Sequence, residues 1–536
     1  MKPRRNMAPF HEPCGKSGKR KAESGNTGAS SGTKAMCMQK QMEALHEPTH
    51  SGSSRRKEAH SILTRSSEKR SEPRDLGCCV RLGSLHGPDA RPKIGSVRYH
   101  DAMPMIRAPF FFFSRALSGT CLGVWLGTQA ILAADWPQFR GPQRDGIWDE
   151  TGVLETFPRE GLKIRWRHPI GGGFSSPVAA QGRVFVSDVE MNKPSAKERV
   201  HCFEQKTGRV LWVYAYAEKY GEWAFVPERG AGPTATPIVD GDRLFVVGAN
   251  GYTHCLDVKT GAVLWEKNIG REYEVAEMSC RPSPLVEGPL LIVFTGAKPG
   301  ASVLALDKQT GKEIWKALDD PVSNSSPIII NAGGRRQLIV WSDSSLASLD
   351  PANGRVYWRE PMVTSNNDSV ATPVFHRNRL LVSGLMLDVS ADPPAAAFLW
   401  PAIRVPSKRI LSNTSTPILQ GEYIFGAKGW GELVCLEAAT GRQIWSTNSL
   451  TASKNGASMN ITPQGGAFFL FTDEGNLIRA QLSSAGYREI SRAHLIDPTW
   501  PFLQTKYVYA PPAFSNRHVF ARSEAEVVCA SLEAGQ

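Results

Sequence analysis

Polar residues able to contact a ligand stand close to a recurrent Ser-Pro or Thr-Pro dipeptide in this chain. They offer a guanidinium, a carboxylate, amides and a hydroxyl, the groups that orient a small molecule in a pocket. The six candidates are Arg281, Asn324, Asp368, Asn413, Thr414 and Asn460. They either converge on one binding site or cap strand ends and hold ordered water. Neither interpretation assigns a catalytic residue.

Two long segments between recurrent strands combine aromatic and cationic residues. The residues are Trp223, Phe225 and Arg229 in the segment 218–232, and Trp500, Phe502 and Lys506 in the segment 492–509. Such mixtures suit contacts with a partner protein or a glycan. The alternative is that Trp223 and Trp500 fold back onto the domain as packing.

Motifs of the common catalytic classes are missing from the sequence. It has neither the glycine-rich loop nor the His-Arg-Asp and Asp-Phe-Gly elements of a protein kinase. It also lacks His-Glu-x-x-His, a Walker loop and Gly-x-Ser-x-Gly, and the six histidines after residue 134 are scattered singly. We therefore expect no catalytic residue and no metal site.

The elements that position these residues follow from a repeat, which runs from Ala305-Leu306-Asp307 through Thr310-Gly311 to Trp315. Eight copies occur, 42 to 53 residues apart. A small residue opens each copy: Cys202, Cys255, Ala305, Ser348, Ser390, Cys435, Ala480 and Cys529. Six residues later stand Gly208, Gly261, Gly311, Gly354, Ala396, Gly441, Gly486 and Gly535. Four residues further stand Trp212, Trp265, Trp315, Trp358, Trp400, Trp445 and, in the seventh copy, Ile490.

Each repeat is expected to form four short antiparallel strands. The Ser-Pro or Thr-Pro step, as at Ser283-Pro284, opens the first strand, where proline is tolerated. Runs such as Leu291-Ile292-Val293-Phe294 are rich in β-branched and aromatic residues. Four-stranded units of this length bury both faces by stacking radially, so the sequence predicts an all-β, eight-bladed β-propeller.

The two ends of the repeat region predict how the ring closes. The eighth copy stops at Gly535-Gln536 without a final strand, and residues 161–166 supply a spare strand ending at Trp166. We expect this N-terminal strand to complete the last blade. The propeller then spans residues 161–536, preceded by a lead-in at 135–160 that packs across the propeller and whose two arginines hold carbonyls or carboxylates.

Charge is unevenly distributed along the 536 residues. The formal net charge of +12 lies entirely in residues 1–134, which hold 22 Lys and Arg against 10 Asp and Glu. Residues 135–536 hold 41 of each, so the propeller offers no cationic stripe for phosphates and we expect no nucleic-acid partner.

The first 134 residues divide into two segments. Residues 1–102 are polar and poor in aromatics, which predicts disorder or a misassigned gene start. Residues 103–134 resemble a secretory signal, so translation would begin at Met103 or Met105. The uncharged stretch 116–134 is either cleaved or retained as a signal anchor, the only membrane contact expected. Both cases predict an exported protein, periplasmic or associated with the cell envelope.

Five of the ten cysteines follow residue 134. Four of them, Cys202, Cys255, Cys435 and Cys529, share one repeat position with alanine and serine. That position calls for a small buried side chain, so we expect free thiols there rather than disulfides. Cys280 has no assigned role.

With repeats running from Leu304-Ala305-Leu306-Asp307 through Thr310-Gly311 to Trp315, residues 135–536 resemble the quinoprotein repeat superfamily. This resemblance implies an eight-bladed propeller with tryptophan-docked blades. The superfamily includes dehydrogenases dependent on pyrroloquinoline quinone (PQQ), the lipoprotein of the outer-membrane barrel-assembly machinery, and sensor domains attached to bacterial serine/threonine kinases. The opening from Asp135-Trp136-Pro137 to Gly146 is most similar to exported propellers typical of planctomycete bacteria.

The dehydrogenase resemblance implies an adjacent cysteine pair and acidic and amide calcium ligands below the quinone. The one adjacent pair is Cys78-Cys79, which precedes the signal-like segment, and no Cys-x-x-Cys-His haem site is present. We therefore expect a binding or scaffold module for a protein or envelope component, without a cofactor. The alternatives are a divergent PQQ- and calcium-dependent dehydrogenase, with Asp368, Asn324 or Arg281 around the quinone, and a sensor-type propeller without a kinase domain.

Overall fold

The computed structural model describes residues 135–363, 369–452, 456–502 and 504–535. The expected extension at 1–102 and the signal-like segment at 103–134 lie outside the described residues, as does Asp368. Within these described ranges, no helix is both long enough and apolar enough to cross a membrane.

Eight four-stranded antiparallel sheets follow one another in the described residues, so the predicted all-β, eight-bladed propeller is confirmed. Blade 1 contains β2 (Val178–Ala180), β3 (Arg183–Asn192), β4 (Ser195–Glu204) and β5 (Val210–Glu218). Blade 2 contains β6 (Ile238–Asp240), β7 (Arg243–Val247), β8 (Tyr252–Asp257) and β9 (Val263–Asn268). Blade 3 contains β10 (Leu285–Glu287), β11 (Leu290–Ala297), β12 (Ala301–Asp307) and β13 (Glu313–Ala317). Blade 4 contains β14 (Ile328–Ala332), β15 (Arg335–Trp341), β16 (Ser345–Leu349) and β17 (Val356–Pro361).

The second half repeats this order. Blade 5 contains β18 (Val374–His376), β19 (Arg379–Val382), β20 (Leu385–Asp388) and β21 (Ala397–Trp400). Blade 6 contains β22 (Ile418–Gln420), β23 (Tyr423–Ala427), β24 (Leu433–Glu437) and β25 (Gln443–Thr447). Blade 7 contains β26 (Met459–Gln464), β27 (Ala467–Thr472), β28 (Asn476–Ser483) and β29 (Gly486–His494). Blade 8 contains β32 (Ala513–Ser515), β33 (His518–Arg522) and β34 (Glu526–Ser531), with β1 (Ile164–Pro169) as its outermost strand.

Four small elements of the described residues lie in the connections between blades. Two 3₁₀ turns, Glu222–Phe225 and Pro227–Arg229, lie between blades 1 and 2. A single helical turn, α1 (Ile269–Glu272), follows β9. A two-stranded hairpin, β30 (Trp500–Phe502) with β31 (Thr505–Tyr507), lies between blades 7 and 8.

The ring closes in the way that the two ends of the repeat region predicted. Strand β1 pairs antiparallel with β34, with Trp166 opposite Cys529 and His168 opposite Val527. The first part of the propeller therefore completes its last blade.

Tryptophans join most neighbouring blades. The Trp265 ring covers the turn at Gly311 in the next blade, and a Cβ added to that glycine would lie 2.6 Å from the ring. The Trp265 indole N–H donates to the Lys308 carbonyl of the same turn at 3.1 Å. Trp166, Trp212, Trp315 and Trp400 repeat this arrangement against Gly208, Gly261, Gly354 and Gly441. These five turn glycines have φ between 72° and 74°, which glycine adopts without strain.

Two copies of the repeat were aligned wrongly from the sequence. In blade 5, Met386, not Ser390, lies opposite Trp400, because the connection between the last two strands is four residues longer. Ala396 therefore replaces no turn glycine. Trp358 of blade 4, which has no such turn to cover, donates instead to Gln337 in its own blade.

In blade 7 the pairing of β28 with β29 is shifted by one residue relative to the alignment expected from the sequence. Arg479 lies opposite Ser491, and Ala480 lies opposite Glu489. Ile490 falls in the bulge, so it does not occupy the tryptophan position. Gly486 pairs with Ser483 in a tight hairpin and is not the counterpart of the other turn glycines.

Lead-in residues cross the inner side of several blades. Trp136 pairs with Ala179 on β2, and the Val239 amide of β6 donates to the Pro137 carbonyl. Arg144 donates to the carbonyls of Ser283 and Pro284 in blade 3. Arg140 holds the carbonyls of Arg144 and Asp145, so both arginines bind carbonyls as expected.

Hydrogen bonds at the Ser/Thr-Pro steps link the inner strands of neighbouring blades. The Ser176 amide donates to Thr236 Oγ1, the Thr236 amide to Ser283 Oγ, and the Ser283 amide to Ser326 Oγ, each at 3.0 Å. Thr372 and Thr416 repeat the contact. Because inner strands such as β2 and β6 also contact each other, this belt surrounds the central channel.

Candidate binding face at the channel mouth

The channel mouth lies just above the hydroxyl belt, where each connection between blades enters an inner strand. In each blade, the pairing of the first strand with the second strand defines equivalent positions. The residue two positions before the belt residue is the mouth residue of that blade. The eight are Phe174, Thr234, Arg281, Asn324, Val370, Thr414, Ser458 and Tyr509. Three of the sequence candidates, Arg281, Asn324 and Thr414, are thus brought to equivalent places.

Two of these candidates touch each other. Arg281 donates through Nη1 to Asn324 Oδ1 at 3.3 Å and through Nε to the Met278 carbonyl at 3.0 Å. Burial lowers the pKa of Arg281, and the negative charge of Asp343 opposes that shift. This corner of the mouth therefore presents a guanidinium that is fixed by two hydrogen bonds.

The other candidates have structural surroundings. Thr414 lies 2.8 Å, Oγ to Oγ, from Ser412, and the Asn413 carbonyl accepts the amides of Val370 and Ala371. The Asn413 side chain is buried, and its Oδ1 has no hydrogen-bond partner among the described residues. Asn460 lies in the belt position of blade 7, one step below the mouth. Asp368 lies outside the described residues.

The two aromatic connections meet beside the mouth. Trp500 packs edge-on against Phe174, stacks on Phe502 and contacts Tyr509, with ring centroids 5.2 to 5.3 Å apart. A Cβ on Gly230 would collide with Phe174 and lie 3.0 Å from Trp500 Nε1. Trp500 is therefore a packing residue that fixes the segment 218–232 against the hairpin β30–β31.

The remaining residues of these connections face solvent to different degrees. Trp223 is 37% exposed, and its indole N–H donates to Glu277 at 3.1 Å. Phe225 is half-buried against a small cluster with Ala224 and Met278. Arg229 and Lys506 are exposed. The mouth face thus combines an aromatic half on blades 8 and 1 with a polar half on blades 3, 4 and 6.

A buried carboxyl that sequence reasoning missed fastens this face to the blades. Glu198 accepts the hydroxyls of Tyr216 and Tyr220 at 2.5 and 2.6 Å and the Ala249 amide at 3.0 Å. Burial raises the pKa of Glu198 to about 7 against these three donors. Tyr220 lies near the start of the segment 218–232, so this cluster anchors that segment. Phe174 and Tyr509 were also missed, although their spacing from the strand openings identifies them.

Two further buried ionic groups are structural. The Asp188 carboxylate accepts hydrogen bonds from both Nε and Nη2 of Arg199, and its Oδ2 lies 3.0 Å from His201 Nε2. Burial alone would raise the pKa of Asp188, but these two partners outweigh it and hold the pKa well below its usual value. Arg522, fully buried, donates to the carbonyls of Ser187, Gly171 and Ser523.

Ligands for a metal ion or a quinone would have to come from side chains of the same face. No group of three or more His, Cys, Asp or Glu side chains able to hold a metal ion occurs in the described part of the chain. Arg281 and Asn324 supply a cation and an amide but no carboxylate. The cysteines at 202, 255, 280, 435 and 529 are buried and free. Asp368, the carboxylate that the sequence offers for a calcium-bound quinone, lies outside the described residues.

Comparison with known proteins shows that the propeller is similar to PQQ-like repeat proteins. A family model described as outer membrane protein assembly factor BamB matches residues 196–447. The Shewanella oneidensis BamB is 21% identical over 347 residues, which cover 62% of this chain and 71% of that protein. The Burkholderia pseudomallei BamB is 26% identical over 42% of this chain and 58% of its own length.

A solved structure agrees on the fold. The quinohemoprotein alcohol dehydrogenase from Comamonas testosteroni superposes with a TM-score of 0.53 at 13% identity, covering 75% of this chain and 81% of that chain. At this identity the likeness concerns the propeller architecture alone.

Proposed function

We propose, from the premise that this chain is a PQQ-like repeat propeller related to the outer membrane protein assembly factor BamB, that it is a binding or scaffold module in outer-membrane protein assembly. Its partner is a protein of the cell envelope. The partner docks on the mouth face defined by the segment 218–232, the hairpin β30–β31 and the mouth residues.

The extent of the similarity to BamB supports this proposal most directly. It covers 347 residues and so runs through most blades rather than through one repeat motif. Repeats alone identify a fold, whereas function depends on the face that the connections build. The proposal therefore also needs a face that can hold a partner.

The mouth face has the composition of a protein-binding surface. Aromatic rings and arginine are enriched at the cores of interfaces. Here Trp223, Arg229 and Lys506 reach solvent from segments that are already packed against each other. A face ordered before binding loses less conformational entropy when a partner docks.

Export follows from the same proposal. We place the protein in the periplasm or at the cell envelope, with translation starting near Met103. Mass spectrometry of the native protein should find its first peptides after residue 134 if the signal is cleaved. Peptides from residues 1–102 would contradict this start site.

Affinity capture from native envelope tests the function. The tagged full chain should retain an outer-membrane assembly protein, and Trp223→Ser combined with Arg229→Glu should lower its yield at least tenfold. Lys259→Glu, on the turn at the opposite end of blade 2, serves as the control and should capture normally. Equal capture by both variants would contradict a role for the mouth face.

The dehydrogenase alternative retains one supporting observation, the contact between Arg281 and Asn324 at the mouth. Titrating the protein with PQQ and calcium, followed by dye-linked alcohol oxidation, tests it. We expect neither stoichiometric quinone binding nor turnover. Saturable binding with turnover that Arg281→Ala abolishes would replace the scaffold proposal.

A further inference from the structure

Blade 1 extends beyond the other blades on the mouth side. Its strands β3, β4 and β5 contain ten, ten and nine residues. The outermost strands of the other blades contain four to six residues, except for β29, which contains nine. The inner strand β2 contains only three residues. The upper part of blade 1 is therefore a three-stranded sheet whose outer edge is β5.

The edge of β5 is long and regular. It is the outermost strand of its sheet, and residues 212–218 pair without interruption with residues 196–202 of β4. Across the described ranges, the main chain of residues 210–217 makes no hydrogen bond to any segment other than β4. Because an edge strand points alternate N–H and C=O groups outward, β5 exposes a row of them roughly 20 Å long.

Side chains that normally protect such an edge are missing from residues 210–217 of β5. From Val210 to Ala217 it contains no charged residue and no proline. The equally long β29 carries Arg488, Glu489 and Arg492 on its edge. Charged side chains and short length are the usual protections against pairing with another chain. Of the two long outer strands, β5 is thus the unprotected one.

Contacts on the inner face hold β5 in an extended conformation. Tyr216 donates to the buried Glu198, and the Tyr214 hydroxyl lies 3.1 Å from His254 Nδ1. On the opposite face Val213 is 47% exposed, and Ala215 and Ala217 are also exposed. The small exposed residues leave space for side chains of an added strand, while the tyrosines keep the main chain straight.

We propose that the edge of β5 binds an extended, uncharged segment of a partner protein, which adds to blade 1 as a fifth strand. The occupant is identified by three features: unpaired main-chain groups that only an extended chain satisfies, regular pairing of residues 212–217 with β4, and no charged side chain among those residues. This is a second binding surface beyond the mouth face, and the substitutions that test it change none of the residues assigned to the mouth face.

A fluorescent ten-residue peptide of alternating valine and threonine is the test ligand, with a version N-methylated at alternate amides as its control. Anisotropy titration should give saturable binding of the first peptide only. Val213→Lys combined with Ala215→Lys should weaken it at least tenfold. Ile314→Lys, on the exposed and shorter β13, should bind like the unmodified protein.

Three results would overturn the proposal: no binding of the first peptide, equal binding of the N-methylated peptide, or equal binding by the β5 variant. Sedimentation showing a dimer that the β5 variant abolishes would also overturn it, because a second copy would then occupy the edge. None of these results affects envelope capture through Trp223 and Arg229, so the two proposals fail separately.

Discussion

At the scale of single residues, buried charges in this propeller hold main-chain and tyrosine groups in place. Arg144 and Arg522 bind carbonyls, and Glu198 gathers two hydroxyls and an amide. None of these three was among the polar candidates chosen from the sequence. Burial cannot be read from residue type alone, so a buried ion is indistinguishable from an exposed one before the fold is known.

Arg522 should contribute strongly to stability. Its replacement by methionine leaves three carbonyls without their donor, so the free energy of unfolding should fall by about 2–4 kcal/mol. Urea denaturation measures this change. Arg442→Met, which removes an exposed ion pair, is the control and should change little. Equal effects of the two substitutions would contradict the assigned role.

Glu198 should make stability depend on pH. Its pKa is raised from about 4.5 to about 7 in the folded protein, so the folded state binds the proton more tightly than the unfolded state. The stability from this group is therefore complete below pH 4.5 and is lost as pH rises through 7, by roughly 3 kcal/mol.

Comparison with Glu198→Gln isolates the pH-dependent stability that Glu198 contributes, because the contributions of the other titrating groups are the same in both proteins. The unfolding free energy of the unmodified protein, relative to Glu198→Gln, should fall between pH 4.5 and 7 and level off above pH 7. A constant difference across this range would show that the carboxyl is not the titrating group.

At the scale of elements, the tryptophan and the glycine turn form one joint between neighbouring blades. The sequence revealed this joint because both partners recur at fixed spacing. The alignment of the repeats from the sequence failed in blades 5 and 7, where the longer connection before Trp400 and the bulge at Ile490 shift the strand register. Small residues such as Ser390 and Ala480 imitate the repeat, and only strand pairing distinguishes Met386 and Arg479 from them.

Gly311→Ala tests the joint against a matched control. The added Cβ would lie 2.6 Å from the Trp265 ring at a φ of 72°, so the free energy of unfolding should fall by about 2–4 kcal/mol. Gly182→Ala has nearly the same φ, 71°, and nothing within 4 Å, so it should cost only about 1 kcal/mol. Equal losses in urea denaturation would mean that the ring does not press on the turn.

At the scale of the whole molecule, the fold was predictable and the candidate binding face was predictable only in part. Period, strand openings and the spare strand at Trp166 determine eight blades and their closure. The mouth residues Arg281, Asn324 and Thr414 follow from the same spacing. The packing of Trp500 on Phe174, by contrast, joins segments more than 300 residues apart, and no local pattern encodes it.

Trp166→Ala should weaken the entire ring. Trp166 belongs to the strand that closes blade 8 and covers Gly208 of blade 1, so its loss opens the joint between the first and last blades. We expect the free energy of unfolding to fall by about 3–5 kcal/mol. Trp430→Ala, at an exposed site, should change stability little in the same denaturation assay. Similar losses for both would contradict closure through β1.

Site-specific photocrosslinking in native envelope tests the central claim, that the mouth face binds an envelope protein. A photoreactive phenylalanine at Trp223 should form one abundant adduct with an outer-membrane assembly protein, and the same probe at Lys259 should form none. Absence of an adduct at Trp223, or the same adduct at both positions, would contradict the claim.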